Sequence, residues 1–223
     1  MKSRQIKNLL YEQVSRIGKA VSSPKRLELL ELLSQGEKTV EMLATDASID
    51  VKLASAHLRA LKEARLVGSR RDGKFMYYSL SGPDVASLWV MLRMVAEEHL
   101  AELNVALERW VAAPEKLTPA DRETLLRKAQ DGDVVVIDVR SEAEYLAGHL
   151  PFARSMPLAE IEHRLAELPN GKDIVAYCRG PFCLMSEEAV QLLTQHGLRA
   201  IKINDGVAEW RAAGFPLETA STP

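Results

Sequence analysis

The chain is poor in cysteine, in aromatic side chains and in long apolar runs, and each shortage closes off a class of protein. Two cysteines among 223 residues are too few for a disulfide framework, so the fold must rest on buried apolar surface. No uninterrupted apolar run approaches the roughly 18 residues needed to cross a bilayer. The first residues, Met1-Lys2-Ser3-Arg4-Gln5, lead into no apolar leader core, so a cytoplasmic protein without a membrane partner is expected. Neither sign of charge dominates, at 29 Lys+Arg against 31 Asp+Glu. A hydrophobic content of 47% with 27% charged residues is ordinary for a globular chain and argues against extensive disorder.

What the chain does have is unevenly placed. Its length favours two domains of about 100 residues each. Residues 1–111 carry 17 Lys+Arg against 14 Asp+Glu, whereas residues 112–223 carry 12 against 17. Within Val51 to Ser79 there are 7 basic and 2 acidic residues, which is where a polyanion would bind. Both cysteines fall in one stretch, Tyr177-Cys178-Arg179-Gly180-Pro181-Phe182-Cys183, behind the apolar run Ile174-Val175-Ala176-Tyr177. A strand that ends at a cysteine, turns through a Gly-Pro loop and enters a helix near Leu184 aims amide groups at the sulfur. Such a field favours a thiolate or a bound anion.

In the first half, Leu10, Val14, Ile17 and Val21 set out an amphipathic helix from about Ile6 to Val21. Ser23 and Pro24 signal the start of a second helix, whose Leu27, Leu29, Leu30, Leu32 and Leu33 form a broad apolar stripe before Gly36. Thr39 can cap a short third helix with Val40, Met42 and Leu43. Asp50 can cap a fourth with Ala54, Leu58 and Leu61 on one face. Two helices joined by a brief turn, the second basic on its outer side, read as a helix-turn-helix. His57 lies near the apolar face of that second helix and is expected to pack or cap. Leu66–Arg70 and Phe75–Leu80 then read as a hairpin turning at Asp72-Gly73, a basic wing. Apolar positions from Val85 to Val111 predict one long helix over 84–111, with a break near Glu97 as the alternative. At about 28 residues it would span roughly 40 Å, more than a small domain needs for its own core, so a second copy of the chain is the implied partner.

Residues 5–111 resemble the ArsR family of dimeric winged-helix repressors. The resemblance rests on Ser23-Pro24-Lys25-Arg26-Leu27, on Ser55-Ala56-His57-Leu58-Arg59-Ala60-Leu61 with Ala64-Arg65-Leu66-Val67, and on the wing Arg71-Asp72-Gly73-Lys74-Phe75-Met76-Tyr77-Tyr78-Ser79-Leu80. It implies double-stranded DNA as the partner and a homodimer formed through the first helix and the long 84–111 helix. It also places Val51, Lys52, Ser55, Ala56 and Arg59 toward the major groove, with Arg70, Arg71 and Lys74 near phosphates or the minor groove. Many relatives sense metals through helix-borne cysteines, histidines or carboxylates. Here the first half has no cysteine, and adjacent Glu97, Glu98 and His99 point in different directions, so no metal site is expected.

Ala112-Ala113-Pro114 breaks the helical pattern, which puts a domain boundary near Pro114 and divides the chain into 1–113 and 114–223. Beyond it, short β-branched strands alternate with helices. The expected order is helix Pro119–Ala129, strand Val134–Val139, helices Glu142–Ala147 and Leu158–Leu168, strand Ile174–Tyr177, helix Leu184–His196, strand Ala200–Ile203 and helix Val207–Ala213. That is a mostly parallel sheet covered on both faces, with Asp138 and Cys178 beyond the carboxyl ends of its strands.

Residues 118–217 resemble the rhodanese family of sulfurtransferases through Ile137-Asp138-Val139-Arg140, Glu144-Tyr145, Gly148-His149-Leu150-Pro151 with Ala153, the strand into Cys178, and Asn204-Asp205-Gly206 through Trp210 to Phe215-Pro216. The two resemblances imply an α+β winged helix-turn-helix domain followed by an α/β rhodanese-like domain with a mostly parallel sheet. The second implies that Cys178 takes a sulfur atom and carries it as a persulfide, with loop amides stabilising the anion. The loop departs from the family's Cys-x-x-Gly-x-Arg: Gly180 comes one place early, Pro181 has no N–H to offer, and Cys183 stands where Arg is common. Arg179 is then the residue left to hold a donor anion such as thiosulfate or persulfide. Relatives with phosphatase chemistry have a longer loop with Arg at the place of Leu184, so phosphoryl transfer is not expected. Cys183 is either a resolving thiol or a small apolar residue at a helix start. Asp138 and Arg140 either orient the loop or form a structural ion pair, and His149 and Trp210 are expected to be structural.

One half thus binds DNA without a sensor of its own, and the other is sulfur-reactive without another output. The combined expectation is a repressor whose rhodanese domain senses or transfers reactive sulfur, with no cofactor. The alternatives are a sulfurtransferase carrying an accessory DNA-binding domain, and a thiophilic metalloid sensor, arsenite being the example.

Overall fold

A computed structural model describes residues 3–110, 117–169 and 171–219, and the chain forms two compact units, Met1–Trp89 and Val90–Pro223. The boundary expected near Pro114 lies outside the described residues.

The first unit runs α1 (Ser3–Ala20), α2 (Pro24–Ser34), β1 (Lys38–Thr39), α3 (Val40–Asp46), α4 (Val51–Glu63), β2 (Val67–Asp72), β3 (Phe75–Leu80) and the start of α5 (Pro83–His99). Thr39 and Asp50 cap α3 and α4 by accepting from the amides of Met42 and Leu53. Ser23 takes the extended N-cap conformation but makes no side-chain cap bond, leaving Pro24 to start α2 by its fixed φ. Ala54, Leu58 and Leu61 of α4 are wholly buried against Leu29 and Leu30 of α2 and Leu43 of α3, so the helix-turn-helix is a packed unit. The hairpin turns one residue later than expected, because Asp72 pairs with Phe75 and the turn falls on Gly73-Lys74, where Gly73 has φ +57°. That left-handed geometry suits glycine. The short β1 pairs with β3 and completes a three-stranded sheet of order β1-β3-β2.

The helix expected over 84–111 is two helices, because α5 ends at His99 and α6 (Ala101–Trp110) begins after Leu100. The Asn104 side-chain amide donates to the Glu97 carbonyl at 2.6 Å, occupying an acceptor that a continuous helix would give to its own backbone.

The second unit continues with α7 (Pro119–Gln130), β4 (Val134–Asp138), α8 (Glu142–Ala147) and β5 (Arg154–Ser155). The segment expected as one helix over 158–168 is a short α9 (Ile161–Arg164) between two 3₁₀ turns. Then follow β6 (Asp173–Tyr177), α10 (Met185–Gln195), β7 (Ala200–Lys202) and α11 (Val207–Ala212). The four strands are parallel in the order β5-β4-β6-β7, with Asp138 beside Tyr177 at the carboxyl edge. Side-chain alternation puts Ile174, Ala176 and Cys178 in the core on one face, and Val175 and Tyr177 with Trp210 in the core on the other.

At that edge Asp138 and Arg140 are both fully buried and paired at 2.5 Å. Arg140 also donates to the Gly148 carbonyl at 2.7 Å, and the Tyr177 hydroxyl donates to Asp138 at 2.6 Å. Arg140→Ala is predicted to strand the Asp138 charge and cost about 3–5 kcal/mol. Equilibrium denaturant unfolding checks this, with Arg140→Lys recovering part of the loss.

Candidate functional site

Cys178 follows the last residue of β6, and its side chain is 2% exposed. The chain then folds back through Gly180, whose φ of +147° few other residues adopt, so that Cys183 N–H donates to the Gly180 carbonyl at 3.0 Å. This turn brings the two cysteines together, close enough for each thiol to shift the proton affinity of the other. Ser186, in the first turn of α10 and itself buried, places its hydroxyl 3.4 Å from the Cys178 sulfur.

Burial alone would push the Cys178 thiol up. The hydrogen bonds from the Cys183 thiol, from the Ser186 hydroxyl and amide and from the Gly180 backbone outweigh it and lower the pKa to about 6. Cys183 is pushed the other way, by that same hydrogen bond, by burial and by the neighbouring sulfur's charge. The pair therefore holds one proton between two sulfurs at neutral pH, with Cys178 as the thiolate and Cys183 as the thiol. The Cys183 carbonyl lies 3.3 Å from the Cys178 sulfur, an acceptor the thiol form would use and the thiolate cannot. The four donors decide the balance in favour of the thiolate.

Behind the loop, Gly206 packs so closely that an added Cβ would fall 2.4 Å from the Arg179 carbonyl oxygen and 2.7 Å from that of Cys178. Gly206 N–H donates to Glu209 at 2.9 Å, and the Glu209 carboxylate is also what a Cβ on Gly180 would meet at 3.1 Å. Glu209 is held by Arg93 of α5 at 3.0 Å, and Arg93 bonds Glu97 as well. All of these groups lie in the second unit. Burial raises the Glu209 pKa against the opposing pull of Arg93.

The expected residues divide accordingly. Cys178, Gly180 and Cys183 lie together in the candidate loop. Arg179 does not stand ready for an anion: its guanidinium donates to both oxygens of buried Glu144, at 2.7 and 3.2 Å, and so ties the loop to α8. Asp138 and Arg140 are a buried ion pair below the loop, reachable by no donor. His149 stacks on Tyr145 with ring centroids 3.8 Å apart and reaches the Tyr145 carbonyl, and Trp210 is wholly buried, so both are structural. Ser186, Glu209 and Arg93 were not among the expected site residues, and Glu144 entered the sequence reading only within the Glu144-Tyr145 resemblance. Ser186 had a local signal, a hydroxyl in the first turn of the helix that follows the loop.

On the DNA-binding side, Val51, Lys52, Ala56 and Arg59 are exposed and Ser55 half-exposed along α4, while Arg71 and Lys74 project from the wing. Arg70 is also exposed but forms an ion pair with Glu37 at 2.5 Å and another with Asp72 at 3.2 Å. Among the described residues no group of His, Cys, Asp and Glu is arranged to hold a metal ion.

Residues 23–69 match the model of the bacterial regulatory protein arsR family, and residues 121–213 that of the rhodanese-like domain. An HTH-type transcriptional regulator of Mycobacterium tuberculosis is 44% identical over 212 residues, covering 95% of this chain and 93% of the relative. A sulfurtransferase of Allochromatium vinosum is 33% identical over 99 residues, 44% of this chain and 91% of its own. The solution structure of a homodimeric winged helix-turn-helix DNA-binding domain from Mycobacterium bovis is 44% identical, covers 46% of this chain and 93% of that one, and superposes with a TM-score of 0.42.

Alkylation of Cys178 by iodoacetamide should follow the thiolate fraction. The expected rate rises with pH to a midpoint near 6 and is flat above about pH 7.5. Removing a donor in Cys183→Ala or Ser186→Ala should move the midpoint upward. A midpoint that stays in the ordinary thiol range in the unmodified protein contradicts the assigned charge state.

Proposed function

Because the chain belongs to the arsR family of bacterial regulatory proteins and carries a rhodanese-like domain, we propose that it is a dimeric transcriptional repressor gated by reactive sulfur at Cys178. The observation that carries this reading is the buried Cys178 at the end of β6, with the Ser186 hydroxyl 3.4 Å from its sulfur and a second cysteine closing the same turn, surroundings that favour its thiolate. A thiolate is the nucleophile in sulfur exchange, and the resolving partner is already in place.

The chemistry closes without an external oxidant. Cys178 S⁻ attacks the outer sulfur of a persulfide donor, a new S–S bond forms, and the donor thiolate leaves with the electron pair. Cys183 can then attack Cys178 Sγ, expelling the outer sulfur as HS⁻. With the Cys183 proton it leaves as hydrogen sulfide, and a disulfide remains. Either product removes the thiolate that accepts from Cys183 and Ser186. The turn through Gly180 then loses the bonds that shape it.

Double-stranded DNA is the partner of α4 and the wing, in a dimer built on α1 and the α5–α6 region. Supporting that assembly, Leu9, Leu10, Tyr11 and Val14 of α1 and Met91, Met94 and Val95 of α5 are 45–69% exposed in the single chain. Among the described residues no helix is long and apolar enough to cross a membrane, and a cytoplasmic location is part of this proposal. The small sulfur donor is the inducer.

The test is operator affinity, on a duplex selected from random sequence, before and after treatment with a persulfide donor. Treatment is expected to weaken binding by about 5- to 150-fold, as a coupling of about 1–3 kcal/mol gives, and Cys178→Ser is expected to bind DNA without responding. Efficient catalytic transfer of sulfur to cyanide with no change in DNA affinity would instead favour the sulfurtransferase alternative. An equal response in Cys178→Ser would remove this sensor.

A further inference from the structure

The charges around the sulfur bear on which donor it accepts. Three cations near the loop are committed to carboxylates: Arg93 to Glu97 and Glu209, Arg140 to Asp138, and Arg179 to Glu144. Arg179 is the one basic residue in the stretch Cys178–Leu184, so a dianionic donor entering the loop meets the Cys178 thiolate and finds the loop's own guanidinium already held by Glu144.

The mouth of the loop has the opposite character. Pro181 offers no N–H, and the side chains on either side of Cys183 are Phe182, 36% exposed, and Leu184, 46% exposed. Both are exposed apolar side chains of the loop that carries Cys178, a surface that suits an alkyl group better than an anion. Phe182 lies over the Arg93 guanidinium at 5.9 Å, which gives its ring a fixed seat.

We propose that this site selects an alkyl hydropersulfide, reacting in its protonated R–S–SH form, over the thiosulfate dianion, and that Phe182 and Leu184 are the residues that set the selection. The inference rests on the reading of Cys178 as a sulfur acceptor. In the step, Cys178 S⁻ attacks the terminal sulfur of R–S–SH and the new S–S bond forms. The R–S to SH bond breaks, R–S⁻ leaves with the electron pair, and the proton stays on the transferred sulfur. The alkyl group leaves along Phe182 and Leu184, and no charge other than the one on Cys178 enters the loop.

The experiment is anaerobic mass spectrometry of the full chain, following sulfur added at Cys178 by ethyl hydropersulfide, by its carboxylated analogue derived from mercaptoacetate, and by thiosulfate. Each rate is divided by the same donor's rate with a free cysteine peptide, which removes intrinsic reactivity. The normalised rate is expected to be about tenfold higher for the ethyl donor than for either anion, the lower end of electrostatic rate effects in charged clefts. Phe182→Arg and Leu184→Lys, both at exposed positions, should raise the rates with the two anions and narrow the ratio. Equal normalised rates, or a ratio that neither variant moves, would overturn the donor preference while leaving the regulator reading standing. Absence of any added sulfur at Cys178 with all three donors would overturn both.

Discussion

A buried thiolate is the interaction on which the sulfur site depends. A thiol as enclosed as Cys178 would ordinarily be neutral, and in this loop the cost of burying its charge is offset by donors supplied from both sides of one turn. Cys183 gives its proton's hydrogen bond from the end of the loop, and Ser186 gives two more from the start of α10. The arrangement is self-limiting, because the second cysteine can be the donor only while the first is unmodified. Reaction at Cys178 therefore removes one of the bonds that hold the loop closed.

The surroundings explain why this loop and no other conformation is held. Gly206 admits the backbone of Cys178 and Arg179 only because it has no side chain, and its amide is anchored by Glu209. Arg179 fastens the loop to Glu144 on α8, and Glu144 also caps that helix by accepting from Ser141. Arg93 and Glu97 belong to α5, the helix whose first turns lie in the DNA-binding unit. Loop, sheet edge and α5 are thus each tied by a buried ion pair, Arg179–Glu144, Arg140–Asp138 and Arg93–Glu209, whose members are costly to leave alone.

Much of this was legible in the sequence where the signals were local. Thr39 and Asp50 announced the starts of two helices, and the period of Ala54, Leu58 and Leu61 identified the buried face of α4. The strand into Cys178 and the second thiol five residues on were also readable. Two-residue strands were not, since Lys38–Thr39 and Arg154–Ser155 are too short to show a period. The break at Leu100 lies close to the one expected as the alternative near Glu97, and there the Asn104 side chain takes up the Glu97 carbonyl. The commitment of Arg179 to Glu144, 35 residues away, and of Arg93 to Glu209, 116 away, depends on tertiary placement that no spacing rule contains. The first of those pairings turned an expected anion-holding arginine into a structural tie.

The central claim is that sulfur chemistry at Cys178 and release of DNA are one event. It is tested most directly by taking samples from a single reaction, protein bound to its operator and exposed to a persulfide donor, for both DNA retention and peptide mass. The account predicts that DNA release rises in step with added sulfur, or with a Cys178–Cys183 disulfide, on the peptide spanning the loop. Release with an unmodified loop peptide, or full modification with DNA still bound, would contradict it.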